Sequence, residues 1–202
     1  MTNLLTIAEN RLKVFGICGI LSPIIAFSCI LSAIASYPQF SWFDNALSDL
    51  GVVSGFTMWL FNAGLIISGF LALAFGIGLF TFFGKSLIGR AGCAIFVLAC
   101  IALMAIGVFP ESTGQTHLLV SVMFFVLLPI SLLTVVFSFG LQKKIKMAAF
   151  TLVIFLAAAS PWVLEFTINY AVGVAIPEAI SGLAGSVWAV VVGILMIKRA
   201  KP

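Results

Sequence analysis

Six apolar runs separated by short polar breaks limit what this chain can fold into. A helix needs about 20 predominantly apolar residues to cross a bilayer, and helices or closed barrels are the structures that satisfy every backbone polar group in lipid. Of the 202 residues, 63% are hydrophobic and 8% are charged, against about 25% charged in a soluble domain. The expected fold class is all-α: a polytopic membrane protein, a six-transmembrane-helix bundle in a single domain. The runs place the helices at about 14–36, 56–83, 90–109, 116–140, 147–170 and 178–197, with no linker or internal repeat. Ala33-Ile34-Ala35 has the form of a signal-peptidase site. The apolar run before it exceeds the roughly 7–15 residues of a cleavable signal core, so helix one reads as an uncleaved anchor.

Charge orients the bundle. All ten Lys and Arg fall in the N-terminal lead, the second and fourth connections or the C-terminal tail, and an even helix count puts those four at one end. Glu9 is the single acid among them; Asp44, Asp49, Glu111, Glu165 and Glu178 fall at or near the other end. The positive-inside rule makes the basic end cytoplasmic. The expected location is the cell membrane, multi-pass, with both termini in the cytoplasm. Membrane anchoring accounts for the basic surplus, so nucleic acid is not an expected partner. Cys18, Cys29, Cys93 and Cys100 lie in apolar runs without zinc or redox spacing and read as free buried thiols.

The polar breaks at the acidic end carry the candidate chemistry. Between helices one and two, Phe40 to Gly51 holds Ser41, Asp44, Asn45, Ser48 and Asp49. Phe43, Ala46, Leu47 and Leu50 share one face of a 3.6-residue period, with Asp44, Asn45 and Ser48 on the other. This predicts a short interfacial amphipathic helix over about 42–50, started by Ser41 and Asp44 and ended by Gly51 in the left-handed conformation. Asp44 and Asp49 then form its polar face, or Asp49 folds back onto backbone amides near Gly51.

In the second break, Pro110 stops helix three, Ser112 or Thr113 caps helix four, and His117 stands one turn from Ser121 with Glu111 just before it. Glu165 lies inside helix five, one turn after Pro161, and Asn169 continues its stripe. An acid in a spanning helix is a functional candidate when it faces the bundle, a partner or water; simple hydration at the interface is the alternative. Pro177 and Glu178 open helix six, where the acid complements the helix dipole. The candidate outward-facing binding pocket is thus Asp44, Ser48, Asp49, Glu111, His117, Ser121, Glu165, Asn169 and Glu178. Imidazole and carboxylates from His117, Asp49, Glu111 and Glu165 suit a divalent metal as candidate cofactor, although no H-E-x-x-H spacing joins them. A single histidine excludes bis-histidine haem.

At Ala46-Leu47-Ser48-Asp49-Leu50-Gly51, and again at Phe109-Pro110-Glu111 followed by His117, the sequence resembles a family of small six-helix membrane proteins catalogued as a domain of unknown function. The resemblance implies the fold and topology. It brings no activity, and Ser48, Asp49, Pro110 and His117 carry over as motif positions alone. Three function classes stay open. The first is a binding or accessory protein that engages a lipid headgroup, a cation or another membrane protein. The second is a metal-assisted hydrolase or lipid-modifying enzyme. The third is a small cation- or proton-coupled transporter using Glu165.

Overall fold

The computed structural model describes residues 2–200. The Glu9 side chain and Lys201, both part of the charge pattern, lie outside the described residues. Six helices follow one another: α1 (Thr2–Ala35), α2 (Phe56–Phe83), α3 (Leu87–Val108), α4 (Gln115–Leu141), α5 (Ile145–Ile168) and α6 (Ala175–Arg199). All six are long and apolar enough to cross a membrane. Each packs on its neighbours in sequence, and α6 closes onto α1, so the bundle is a ring.

Lipid is as apolar as leucine, so close packing and interhelical hydrogen bonds hold such a ring together. A Cβ on Gly16 would lie 2.6 Å from the Gly193 carbonyl oxygen, which brings α1 and α6 into backbone contact near the basic end. Buried serines reach across to carbonyls of neighbouring helices: Ser22 to Ser68 at 2.8 Å, Ser131 to Gly92 at 2.9 Å and Ser181 to Ala158 at 2.6 Å. Phe75, Phe96 and Trp188 fill the centre with ring centroids 5.7–6.0 Å apart.

Several local expectations change. The helix foreseen over 42–50 shrinks to a 3₁₀ turn at Leu47–Gly51, preceded by irregular turns. Leu47 and Leu50 are buried as the pattern requires, but Phe43 is 60% exposed and Ser48, assigned to the polar face, is buried. Gly51 belongs to the turn itself. It serves close approach, because a Cβ there would stand 2.6 Å from Asn62 Oδ1. Ser112 and Thr113 form part of a second 3₁₀ turn, Glu111–Thr113, and Gly114 at φ 62° precedes α4 in their place. Asn169 ends α5 in the left-handed region at φ 49° instead of extending the Glu165 stripe. α6 begins at Ala175, ahead of Pro177 and Glu178.

The irregular stretch after α1 departs from helix because its backbone bonds elsewhere. Phe43 O accepts the amides of Val172 and Gly173 at 2.9 and 2.8 Å, and Asn45 O accepts that of Ala175 at 2.9 Å. Gly173 makes this possible, since a Cβ there would collide with the Asn45 backbone. Gly140, near the end of α4, has no neighbour within 4 Å of such a Cβ. Overpacking costs about 1–3 kcal/mol, whereas Ala for Gly in an exposed helix gains about 1 kcal/mol. Gly173→Ala should therefore lower the thermal midpoint in detergent while Gly140→Ala leaves it equal or raised. Equal behaviour of the two would show that the loops at the acidic end are not docked.

Candidate functional site

The Leu47–Gly51 turn roofs a chamber inside the ring. A cavity of about 110 Å³ is lined by α1, α2, α3, α4 and α6, with Leu47 and Ser48 of the turn and Glu178 of α6 at its acidic end. A further hollow of about 70 Å³ shares Ser22, Pro23, Leu103, Phe124, Gly182 and Ser186 and reaches Phe96 and Cys100. Phe96 belongs to the aromatic trio with Phe75 and Trp188, and it is the member that the hollow reaches. The walls are apolar in effect, because the hydroxyls of Ser22 and Ser186 donate to the Ser68 and Gly182 carbonyls. The helices that touch at Gly16 and Gly193 have separated here. A Cβ on Gly182 would meet nothing nearer than Phe27 Cζ at 3.7 Å.

Three side chains pin the roof. Glu178 is 8% exposed, and its Oε2 accepts the Leu47 amide at 2.6 Å with the Ser48 amide beside it. Asn62 Nδ2 donates to Gly51 O at 2.9 Å. Asp49 folds back, though onto the start of the turn and not toward Gly51: its Oδ2 accepts the Ala46 amide at 3.0 Å and Asn45 Nδ2 at 2.7 Å. Glu178 was read from the sequence as a dipole complement. Its carboxylate instead ties α6 to a turn 131 residues away.

Asp49 also hydrogen-bonds the carboxyl of Glu111. Two carboxyls can bond only if one carries a proton. Glu111, whose carboxyl holds its proton to higher pH, is the donor. That hydrogen bond, then partial burial, then the Asp49 charge hold the Glu111 carboxyl up at about 7 from an ordinary 4.5. Asp49 and Glu111 both lie within electrostatic reach of Glu178. His117 has a separate task. Its Nδ1 lies 2.7 Å from Phe109 O, so it carries hydrogen and donates, and Nε2 faces Ser121 Oγ at 3.2 Å. It thereby satisfies a carbonyl at the end of α3, one of those a helix terminus leaves open.

The candidate residues therefore divide. Asp49, Glu111 and Glu178 come together, Ser48 and Ser121 line the chamber, and His117 stands behind Ser121. Asp44 is exposed in the preceding loop, accepting from Ser41 Oγ at 2.5 Å. Asn169 is exposed at the end of α5. Glu165 is buried on the stripe Thr151, Ile154, Ala158, Pro161 and Glu165 that α5 turns into the bundle, but it does not line the chamber. Its Oε2, like Trp162 Nε1, is buried without a partner. The metal set expected from His117, Asp49, Glu111 and Glu165 is not assembled. The imidazole is engaged at both nitrogens and the acid pair shares a proton, and among the described residues no three His, Cys, Asp or Glu are placed to hold a metal ion.

The two sequence motifs thus meet at one point. In Ser48-Asp49-Leu50-Gly51, Ser48 faces the chamber, Asp49 holds the turn, Leu50 is fully buried and Gly51 admits Asn62. In Phe109-Pro110-Glu111 with His117, the imidazole clamps Phe109 while Glu111 reaches Asp49. A family model described as Protein of unknown function (DUF998) matches residues 20–195, a span that includes both motifs. The chain belongs to the DUF998 family. No curated protein and no solved structure matches it. In this DUF998 protein the motif residues build the roof of a chamber and the joint between two connections.

The shared proton gives stability a pH dependence with a definite sign. Below about 4.5 Glu111 is protonated folded or unfolded, and its contribution is fully present. Between there and about 7 the folded state keeps a proton that the unfolded chain releases, so stability falls as pH rises and the contribution is lost above about 7. Glu111→Gln keeps a donor for Asp49 without the titration. The wild-type thermal midpoint should drop more steeply than the variant's from about pH 5 to about pH 8. Parallel curves would exclude the pair as the cause.

Proposed function

We propose that this protein binds a membrane amphiphile, its apolar chain in the chamber and its head group at the acidic mouth. The observation that carries the proposal is an apolar-walled cavity whose one ionisable lining residue, Glu178, stands at the roof. Its volume of about 110 Å³ approaches the ~150 Å³ of an engineered apolar cavity that stays dry and binds benzene. The adjoining hollow lengthens the space along α6 from Glu178 to Ala189, about 16 Å at 1.5 Å per residue, or roughly half the hydrocarbon thickness of a bilayer. Such a shape favours a slender chain over a globular solute.

Gly182→Leu tests it. A Cβ at Gly182 meets only the end of the Phe27 ring, at 3.7 Å, so folding should survive. Wild-type protein in nanodiscs should bind dodecanol, measured as a rise in thermal midpoint, with about 2.7 kcal/mol of stabilisation at a hundredfold excess over Kd. The variant should bind at least about tenfold more weakly, a loss of about 1.4 kcal/mol. Unchanged binding would remove the chamber as the site.

We further propose that the protein resides in the cell membrane with both termini cytoplasmic, which turns the acidic mouth outward. Lys85, Arg90, Lys143, Lys144, Lys146, Lys198 and Arg199 all belong to the end opposite Glu178, and Arg199 donates to Phe82 O at 2.8 Å. In a background lacking the four native cysteines, Ser112→Cys should react with an impermeant thiol reagent on intact cells and Ala200→Cys only after lysis. The reverse pattern would invert the orientation.

A further inference from the structure

We infer that the ligand of the chamber carries a cationic head, and that Glu178 selects it by pairing an ammonium with the carboxylate beneath the roof. The inference rests on the amphiphile reading above and names its ligand class. Glu178 is 8% exposed and lines the chamber. A carboxylate removed from water needs a partner charge as well as hydrogen bonds. What the protein supplies is backbone N–H alone, from Leu47 at 2.6 Å with Ser48 alongside. Every described Lys and Arg belongs to the far end of the bundle. The neighbouring ionisable groups, Asp49 and Glu111, are both acids, so neither supplies a counter-charge. A ligand cation would complete this set.

Anionic heads are disfavoured by the same carboxylate, since like charges in a low-dielectric site repel strongly. Neutral heads can hydrogen-bond but leave the charge unpaired. A carboxylate has about four acceptor positions, so Glu178 can keep the Leu47 amide while accepting an ammonium. The roof need not be released for the head to bind. The walls set the second requirement, a chain without polar groups next to the head, because Leu47, Phe61, Leu65 and Phe124 surround that level.

The experiment compares dodecylammonium with dodecanol, which share a chain and differ in the head, on the full chain in phosphatidylcholine nanodiscs. Gly182→Leu measures partition into the lipid alone. Wild-type protein should prefer the ammonium by roughly thirtyfold or more, the scale of a buried charge pair. Glu178→Gln keeps an acceptor for the Leu47 amide, so it should fold and lose the preference for the ammonium over dodecanol. Asp44→Asn, in the exposed loop, should retain it.

Nuclear magnetic resonance gives a measurement that does not depend on the variant folding. The Leu47 amide resonance of the wild-type protein should shift more on adding dodecylammonium than on adding dodecanol. Equal affinities for the two probes would overturn the cationic head and leave the chamber standing. A preference that survives Glu178→Gln would overturn the role of Glu178. If neither probe binds above the Gly182→Leu background, the amphiphile reading falls, and this inference with it.

Discussion

Backbone that leaves a helix at the end of a membrane bundle must find a partner for each polar group it exposes, and that requirement organises this protein. Between α1 and α2 the groups in question are Phe43 O, Asn45 O, the Leu47 amide and Gly51 O. Their partners lie far along the chain: the Val172, Gly173 and Ala175 amides, the Glu178 carboxylate and the Asn62 side chain. Each such group left buried and unpaired costs about 1–3 kcal/mol. The roof is therefore fixed by α6 and the α5–α6 connection as much as by its own residues. Glu178 combines two positions in one side chain, clasp of the roof and wall of the chamber.

The acid pair extends this coupling sideways. Asp49 is anchored by Asn45 and Ala46, and Glu111 stands on the connection between α3 and α4. Their shared proton joins two connections that no apolar contact would specify, while His117 holds the start of α4 to the end of α3. The structure explains both DUF998 motifs as one joint. Phe-Pro…His secures a helix corner, and Ser-Asp-Leu-Gly builds the turn that the corner meets.

Helix count and fold class were legible because hydropathy over about 20 residues is a local property that the bilayer enforces, although α1 starts at Thr2, ahead of its expected start near residue 14. α2 coincides with its expected span, Phe56–Phe83. The buried stripe of α5 was present in the spacing Thr151, Ile154, Ala158, Pro161, Glu165, and an i, i+3, i+4 count alone would have turned Glu165 into the bundle. The roof was not legible. Phe43, Ala46, Leu47 and Leu50 fit a helical period, yet the Phe43 and Asn45 carbonyls bond to residues 172–175, and tertiary pairing overrode local pattern. Glu178 was undervalued for the same reason: an acid in the first turn of a helix has a sufficient local explanation, and nothing local points to Leu47.

Polarity inside the bundle is concentrated at the acidic end. Ionisable groups gather at the acidic mouth, with Glu165 close to that end of α5. Inward of them the chamber wall turns to apolar side chains, with the Ser22 and Ser186 hydroxyls directed at carbonyls. Beside the hollow that Phe96 lines, Phe75, Phe96 and Trp188 pack edge to ring, Phe75 and Trp188 are fully buried, and the Trp188 indole donates to Thr151 Oγ1 at 3.2 Å. An ion or proton crossing that layer would shed its hydration with no fixed dipoles to replace it, against a desolvation penalty of several kcal/mol. An apolar chain meets no such penalty in the same space and gains about 0.8 kcal/mol for each methylene it removes from water. A wall chemistry that opposes passage of a charge and welcomes a hydrocarbon is what the proposed amphiphile binding requires of the chamber.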